Sequence, residues 1–170
     1  MTLCSARKIL TCDQLIETRQ RLKQLGQRIV FTNGCFDIIH AGHVTLLDEA
    51  RRLGDRLIVG LNSDASGKRL KGPRRPIFNQ TDRALVISSM ETVDYVVIFD
   101  DDEPASLIEK LLPDVLVKGS DWGHYVSGRD IVERNGGKVV LLSLVTGHSS
   151  TAALNRIAAA NNQPDSNREP

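Results

Sequence analysis

Two histidines, His40 and His43, have the residue type and spacing that best suit chemistry in this 170-residue chain. They lie in the run 34–43, which follows an apolar stretch typical of a strand and precedes a helical pattern. The imidazoles therefore lie beside the unpaired backbone N–H groups that begin a helix, where an anion is favoured. Gly34 and Gly42 permit close approach of the backbone to a ligand. The run predicts a binding site for a polyphosphate.

Other familiar phosphate-binding motifs are missing from the sequence. No GxGxxG run follows the first predicted strand, and Gly67-Lys68 is followed by Arg69, which rules out a Walker A motif. A zinc site is a further alternative, but two histidines are not four ligands, and only Cys35 could add to them. The histidine run is therefore the primary phosphate site that the sequence predicts.

A second anion position is predicted where the last helix begins. Ser149, Ser150 and Thr151 open that helix, so their hydroxyls and backbone N–H groups converge at its N-terminus. Taken alone, these residues favour a simple helix cap. In combination with the histidine run, they favour binding of the β- and γ-phosphates of a nucleotide.

Basic residues in the middle of the chain are further candidates. Lys71 lies in the segment 66–78, which Gly and Pro make too broken for a regular element, and it could swing over a phosphate. Arg83 lies near the start of a predicted helix, where a cation is unfavourable unless an anion lies opposite. This placement favours phosphate binding by Arg83.

The acidic run 100–103 could suggest a metal site. It directly precedes a predicted helix, and negative charge is favourable at that end of a helix. We therefore expect an exposed acidic cap at 100–103 and no metal site.

Strand-like and helical patterns alternate along the chain and place these residues. Apolar residues at helical spacing predict helices at 13–25, 43–53, 81–91, 104–111, 129–135 and 149–160. Short apolar runs predict strands at 28–32, 56–61, 95–99, 115–117 and 138–144. The alternation is typical of an α/β protein with a doubly wound parallel sheet of five strands. Ligands bind such sheets at the carboxyl ends of strands, where the histidine loop lies.

Composition narrows the classes of protein further. The chain has 170 residues, of which 41% are hydrophobic and 25% are charged, which is typical of a globular protein. We expect one domain over 1–160, to which helix 13–25 is appended. We expect a disordered tail at 161–170. A net charge of +1 gives no reason to expect a nucleic-acid partner. No apolar stretch is long enough for a signal peptide or a membrane helix. Three cysteines without a CxxC pair fit a reducing compartment, so we expect a cytoplasmic protein.

The motifs together resemble those of a known enzyme family. The run 34–43 is similar to the HxGH signature of the cytidylyltransferase-like nucleotidyltransferases, which have a Rossmann-like fold. Further matching motifs follow in order at Asn62-Ser63-Asp64, Lys68-Arg69-Leu70-Lys71-Gly72, Arg75-Pro76, Asp82-Arg83, Val117-Lys118-Gly119-Ser120-Asp121-Trp122 and Gly147-His148-Ser149-Ser150-Thr151. Over about 10–160 the set looks most like D-glycero-β-D-manno-heptose 1-phosphate adenylyltransferases, including the adenylyltransferase domain of ADP-heptose synthase. The Arg-Leu-Lys-Gly and Val-Lys-Gly-x-Asp-Trp runs favour this branch.

The resemblance implies an adenylyl transfer. A sugar-phosphate oxygen attacks the α-phosphorus of ATP and pyrophosphate leaves, so the site has to supply positioning and positive charge, without a general base. The resemblance implies Mg²⁺ carried by the ATP phosphates, and catalytic roles for His40, His43 and Lys71. It implies nucleotide and phosphate binding by Thr32, Asn33, Gly34, Cys35, Phe36, Gly42, Lys118, Gly119, Asp121, Ser149, Ser150 and Thr151. It implies sugar-phosphate binding by Asp37, Asn62, Asp64, Arg75, Arg83 and Trp122.

The product would be ADP-heptose, used for lipopolysaccharide or a related surface glycan. Two alternatives stay open: a CTP-dependent cytidylyltransferase acting on another small phosphate such as glycerol 3-phosphate, and a non-catalytic nucleotide-binding domain. The approach to the last helix at 144–147 has no arginine, which counts against the glycerol-phosphate branch. Bifunctional members also have a kinase domain, for which 170 residues leave no space, so we expect a separate upstream sugar kinase. We also expect a homodimer, since α/β transferases of this size often pair.

Overall fold

The computed structural model describes residues 4–120, 125–143, 147 and 149–161. Its strands are β1 (Ile9–Leu10), β2 (Ile29–Gly34), β3 (Arg56–Asn62), β4 (Tyr95–Phe99), β5 (Val115–Gly119) and β6 (Lys138–Leu142). They form one sheet in the order β1-β4-β3-β2-β5-β6, in which every pair is parallel. The predicted α/β class and parallel sheet are confirmed, with six strands instead of five.

Helices connect these strands. A 3₁₀-helix (Cys4–Lys8) precedes β1, and the α-helices are α1 (Cys12–Gln24), α2 (Ala41–Arg51), α3 (Asp64–Lys71), α4 (Gln80–Ser88), α5 (Ala105–Leu111), α6 (Arg129–Arg134) and α7 (Ser150–Asn161). The predicted disordered tail at 161–170 lies outside the described residues from 162 onwards. Within the part of the chain that the structure describes, no helix is long and apolar enough to cross a membrane.

The core has two layers, one on each face of the sheet. Side chains of α1, α5 and α6 pack on one face, and side chains of α2 and α4 pack on the other. Neighbouring residues of β2 alternate between the layers: Ile29 and Phe31 enter the first cluster, and Val30 enters the second. Because both faces are covered, the central strands are continuous apolar runs. This arrangement is the doubly wound sheet that the sequence predicts.

The prediction that 66–78 contains no regular element is wrong for its first half, where α3 forms. The Ser63 hydroxyl caps α3 by accepting a hydrogen bond from the backbone N–H of Ser66 at 3.0 Å. Gly67 lies where a Cβ would be 3.0 Å from Cδ of Pro76. The glycine that suggested a broken segment is therefore needed for close packing within a helix.

Candidate active site

A pocket of about 470 Å³ opens at the carboxyl edge of the sheet. Its lining includes the predicted site residues Thr32, Asn33, Gly34, Cys35, Phe36, His40, Gly42, His43, Asn62, Lys71, Lys118, Gly119, Ser149, Ser150 and Thr151. These residues come from β2, α2, β3, α3, β5 and the start of α7. The structure thus brings together residues that lie more than a hundred positions apart.

The two histidines form a stacked pair at the start of α2. Their ring centroids are 3.8 Å apart and their planes differ by 22°. The Phe36 ring lies 5.2 Å from that of His43 and is tilted by 56°. His40 is the residue before the helix, and its carbonyl accepts from the backbone N–H of His43 at 2.9 Å. Both imidazoles are therefore fixed beside the helix N-terminus, as the sequence predicts.

The environment of His43 keeps its imidazole neutral. Burial, together with the smaller effects of the nearby His40 and Lys71, lowers the pKa of His43 from 6.5 to about 4. A neutral imidazole has one N–H donor and one acceptor nitrogen. Nδ1 of His43 is buried and has no hydrogen-bond partner among the described residues. The ring is suited to donate to a phosphate oxygen without carrying a full charge of its own.

Phe36, between β2 and the histidines, has an unusual backbone conformation. Its backbone φ is +42°, in the left-handed region that residues other than glycine rarely adopt. Its side chain is nonetheless buried in the second core cluster. Packing therefore holds the backbone in this conformation directly beside the pocket.

Lys71 lines the pocket from the last residue of α3. The loop after β4 holds this helix along its length. The contacts are the Ser63 hydroxyl with the Asp100 carboxylate, the Ser66 hydroxyl donating to the Asp101 carbonyl at 3.0 Å, and Arg69 Nε donating to Asp102 Oδ1 at 2.6 Å. The acidic loop therefore fixes the helix that carries Lys71.

The acidic run 100–103 is exposed and precedes α5, as expected, but it supplies no side-chain cap to that helix. The first turn of α5 contains no acidic residue. Asp102 and Glu103 instead line the pocket, and the loop contacts α3. Among the described residues, no group of three or more His, Cys, Asp and Glu is placed to hold a metal ion.

The start of α7 combines a helix cap with a pocket wall. The Ser149 hydroxyl accepts from the backbone N–H of Ala152 at 3.0 Å. The Ser150 hydroxyl donates to the carbonyl of Ile38 at 3.1 Å, which joins α7 to the histidine loop. Both interpretations of this segment, as a cap and as part of a ligand site, are thus compatible with the structure.

Asp37, a predicted sugar-phosphate ligand, is engaged inside the protein. Its carboxylate accepts from Arg75 Nε at 2.6 Å and from the backbone N–H groups of Ile77 and Phe78 at 2.8 and 3.2 Å. Neither Asp37 nor Arg75 is among the described pocket-lining residues. The ion pair ties the turn after β2 to the segment before α4.

Arg83 is also buried, with 2% of its surface exposed. Its guanidinium donates to the carbonyls of Phe78 and Asn62, both at 3.0 Å, and to Asp64 Oδ1 at 2.7 Å. A further bond joins it to the Cys35 carbonyl. A cation near the start of a helix requires an anion opposite it. For Arg83, that anion is the carboxylate of Asp64. Arg83 and Asp64 are not among the described pocket-lining residues, and their sugar-phosphate role stays a prediction.

The pocket also includes residues that sequence reasoning missed. These are Leu46, Leu70, Asp102, Glu103, Pro104, Tyr125 and Ser127. Leu46 and Leu70 lie beside predicted residues on α2 and α3. No local pattern marks the other five, which come from the loop after β4 and the segment before α6. Two predicted residues, Asp121 and Trp122, lie outside the described residues.

Comparison with known proteins gives concordant matches. The family model described as cytidylyltransferase-like matches residues 31–157. The chain is 55% identical over 135 residues to the bifunctional protein HldE of Magnetococcus marinus, covering 79% of this chain and 28% of that protein. It is 57% identical over 148 residues to HldE of Campylobacter concisus, covering 86% of this chain and 30% of that protein. The chain therefore spans less than a third of the length of these two relatives.

A solved structure has the same fold. It is the lipopolysaccharide core biosynthesis protein from Thermoplasma volcanium, with a TM-score of 0.58 and 28% sequence identity. The match covers 71% of this chain and 98% of that one. The shared part is thus nearly all of the other chain.

Proposed function

The chain belongs to the cytidylyltransferase-like family of nucleotidyltransferases, and from that premise we propose that it adenylylates a sugar phosphate. The donor is ATP, the acceptor is D-glycero-β-D-manno-heptose 1-phosphate, and the products are ADP-heptose and pyrophosphate. The similarity to the HldE proteins supports this choice of reaction. The observation that carries it is the stacked pair of His40 and His43 in one pocket with Lys71.

The pocket geometry supports binding of the triphosphate across the edge of the sheet. His40 and His43 lie at the N-terminus of α2, and Ser149 lies at the start of α7. Both helix ends favour negative charge. A polyphosphate lying between them would have hydrogen-bond donors at each end, and its α-phosphorus would remain open to the acceptor.

The side chains supply charge stabilisation without proton abstraction. The attacking phosphate oxygen is already an anion, so the reaction requires in-line positioning. Lys71 offers a positive charge for the crowded phosphates, and neutral His43 donates a hydrogen bond to the oxygens on which charge accumulates as pyrophosphate leaves. This division of roles makes the histidines and Lys71 the catalytic set.

Three further expectations belong to this proposal. Mg²⁺ would enter with the ATP phosphates and neutralise part of their charge, since the described side chains form no cluster of metal ligands. The acceptor has to be phosphorylated beforehand at its anomeric carbon, which a sugar kinase would do. Free thiols at Cys4, Cys12 and Cys35 fit a cytoplasmic enzyme. A homodimeric state and a role in surface-glycan synthesis complete the proposal.

A pyrophosphate-release assay tests the reaction. The full chain is incubated with heptose 1-phosphate and either ATP or CTP, and the nucleotide sugar is identified by mass spectrometry. We expect release with ATP, dependent on the sugar phosphate. Preference for CTP would replace the proposal by a cytidylyltransferase. Nucleotide binding without release for any sugar or alcohol phosphate would indicate a non-catalytic domain.

A further inference from the structure

The pocket has one acidic wall, which the adenylyl transfer described above does not use. His40 and His43 lie at the N-terminus of α2, whose core residues pack on one face of the sheet. Glu103 precedes α5 and Ser127 precedes α6, and these helices pack on the other face. Both groups line the same pocket. The pocket therefore lies between a phosphate-binding wall and a wall that carries a carboxylate.

The carboxylate of Glu103 is held by two hydroxyl groups. Tyr125 Oη donates to Glu103 Oε2 at 2.7 Å, and Ser127 Oγ donates to the same oxygen at 2.9 Å. Ser127 is only 8% exposed, which anchors this contact in the protein. The hydrogen bond to Glu103 also raises the pKa of Tyr125, so its phenol remains a donor. Oε1 makes no hydrogen bond in the part of the chain that the structure describes.

The chemistry of this wall excludes a phosphate ligand and favours hydroxyl groups. A fixed carboxylate repels phosphate oxygens, whereas it accepts hydrogen bonds from neutral donors. Such bonds to an ionised acceptor are stronger than bonds between neutral groups. An uncharged polyol attached to a phosphate would bring its phosphate to the histidines and its hydroxyls to Glu103.

We propose that Glu103, oriented by Tyr125 and Ser127, binds the hydroxyls of the sugar portion of a substrate. This inference rests on the proposed function, because both of its substrates contain a sugar joined to phosphate. The hydroxyls belong either to the ribose of the nucleotide or to the acceptor sugar. The three side chains form a sugar-specific subsite beside the phosphate site.

Calorimetric titration of the full chain tests the subsite with three probes: pyrophosphate, α,β-methylene-ATP and heptose 1-phosphate. Glu103→Ala removes the acceptor, and Glu109→Ala is the matched control, an exposed glutamate on α5 outside the described pocket lining. We expect Glu103→Ala to raise the Kd of one sugar-containing probe about tenfold or more. The Kd of pyrophosphate should stay unchanged or fall, since a repulsive charge has been removed.

Further arms identify the sugar and test the orienting role of Tyr125. If the ribose is bound, 2′-deoxy-ATP or 3′-deoxy-ATP should bind the wild type more weakly, and Glu103→Ala should weaken its binding no further. If the acceptor is bound, only the Kd of heptose 1-phosphate rises. Tyr125→Phe, which leaves Glu103 in place, should produce a smaller effect on the same probe.

Two outcomes overturn the inference: equal changes for all three probes, or no weakening of either sugar-containing probe. Glu103→Ala could also tighten every probe, which would make Glu103 a purely repulsive charge and contradict the subsite. Failure of the proposed function would be seen differently, as bound ligands without pyrophosphate release in the wild type.

Discussion

His43 is neutral near pH 7 because burial, with smaller effects of His40 and Lys71, lowers the pKa of its imidazole to about 4. As a hydrogen-bond donor at the N-terminus of α2, it should contribute most when charge moves onto the leaving pyrophosphate. We predict that His43→Ala lowers kcat about 100-fold or more and raises the KM for ATP much less. Steady-state kinetics at varied ATP measures both. Val44→Ala, the exposed next residue of α2, is the control, and a loss confined to KM would contradict this role.

The charge state of His43 also predicts a dependence on pH. The folded pKa of about 4 lies below the ordinary 6.5, so between these values the unfolded chain binds the proton more readily. The stability contributed by the neutral ring is therefore complete above pH 6.5 and is lost as the pH falls through 4. An anion bound beside the ring favours its charged form. NMR titration of the His43 ring should show its pKa rise when pyrophosphate is added, and an unchanged pKa would argue against direct contact.

Arg83 provides a contrast between a structural and a ligand-binding arginine. Its guanidinium is buried and joins the carbonyls of Asn62 and Phe78 to the carboxylate of Asp64. Removing one partner from such a network leaves buried polar groups unsatisfied. We predict that Arg83→Ala lowers the free energy of unfolding by about 3 kcal/mol in urea denaturation. Arg74→Ala, at an exposed position, should have little effect. Unchanged stability with a raised KM for the sugar phosphate would restore the ligand role.

At the level of elements, α3 delivers Lys71 to the pocket, and its attachment to the loop after β4 should matter for catalysis. The Arg69–Asp102 pair is 46% and 51% exposed, so solvent screens it and its contribution to stability is small. We predict that Arg69→Gln and Asp102→Asn each lower kcat several-fold with little change in melting temperature. In a Lys71→Ala background, neither change should lower kcat further, because the lysine that they position is gone. Additive losses in that background would show that the pair acts independently of Lys71.

The sequence predicts elements best where their signal is local. The helices α2 and α4 have apolar residues at helical spacing, and the strands β3 and β4 are continuous apolar runs. Their predicted positions are close to those observed. Helix α3 is stabilised by contacts with Asp100, Asp101 and Asp102, which are more than thirty residues away, and no periodicity reveals them. Strand β1 has two residues, too few for a pattern, and exists because β4 offers it an edge. Elements that depend on distant partners are the ones that were missed.

The same distinction applies to the site. His40, Gly42 and His43 belong to one short motif, and Ser149 belongs to another at the start of the last helix. Each motif is visible in its own segment of the sequence, and all four residues line the pocket. Glu103 and Ser127 meet only because the connection after β4 crosses the edge of the sheet. For Arg83, the sequence correctly indicates a nearby anion, but the anion is a side chain of the protein. Motif spacing therefore identifies the family, which the comparisons confirm, whereas the packing decides which polar residues line the pocket.

For the whole molecule, a ligand in this pocket contacts parts of the chain that range from β2 to α7. Because unfolding separates these parts, binding should stabilise the entire fold and raise its Tm. At a hundred times the Kd, one bound ligand adds about 2.7 kcal/mol, which is several degrees for a chain of this size. We predict such a rise in the Tm of the wild type with pyrophosphate in scanning calorimetry. Lys71→Ala should reduce the rise, because the ligand loses its closest positive charge on α3, whereas Glu109→Ala should retain it in full. An equal rise in all three proteins would place the anion elsewhere on the molecule.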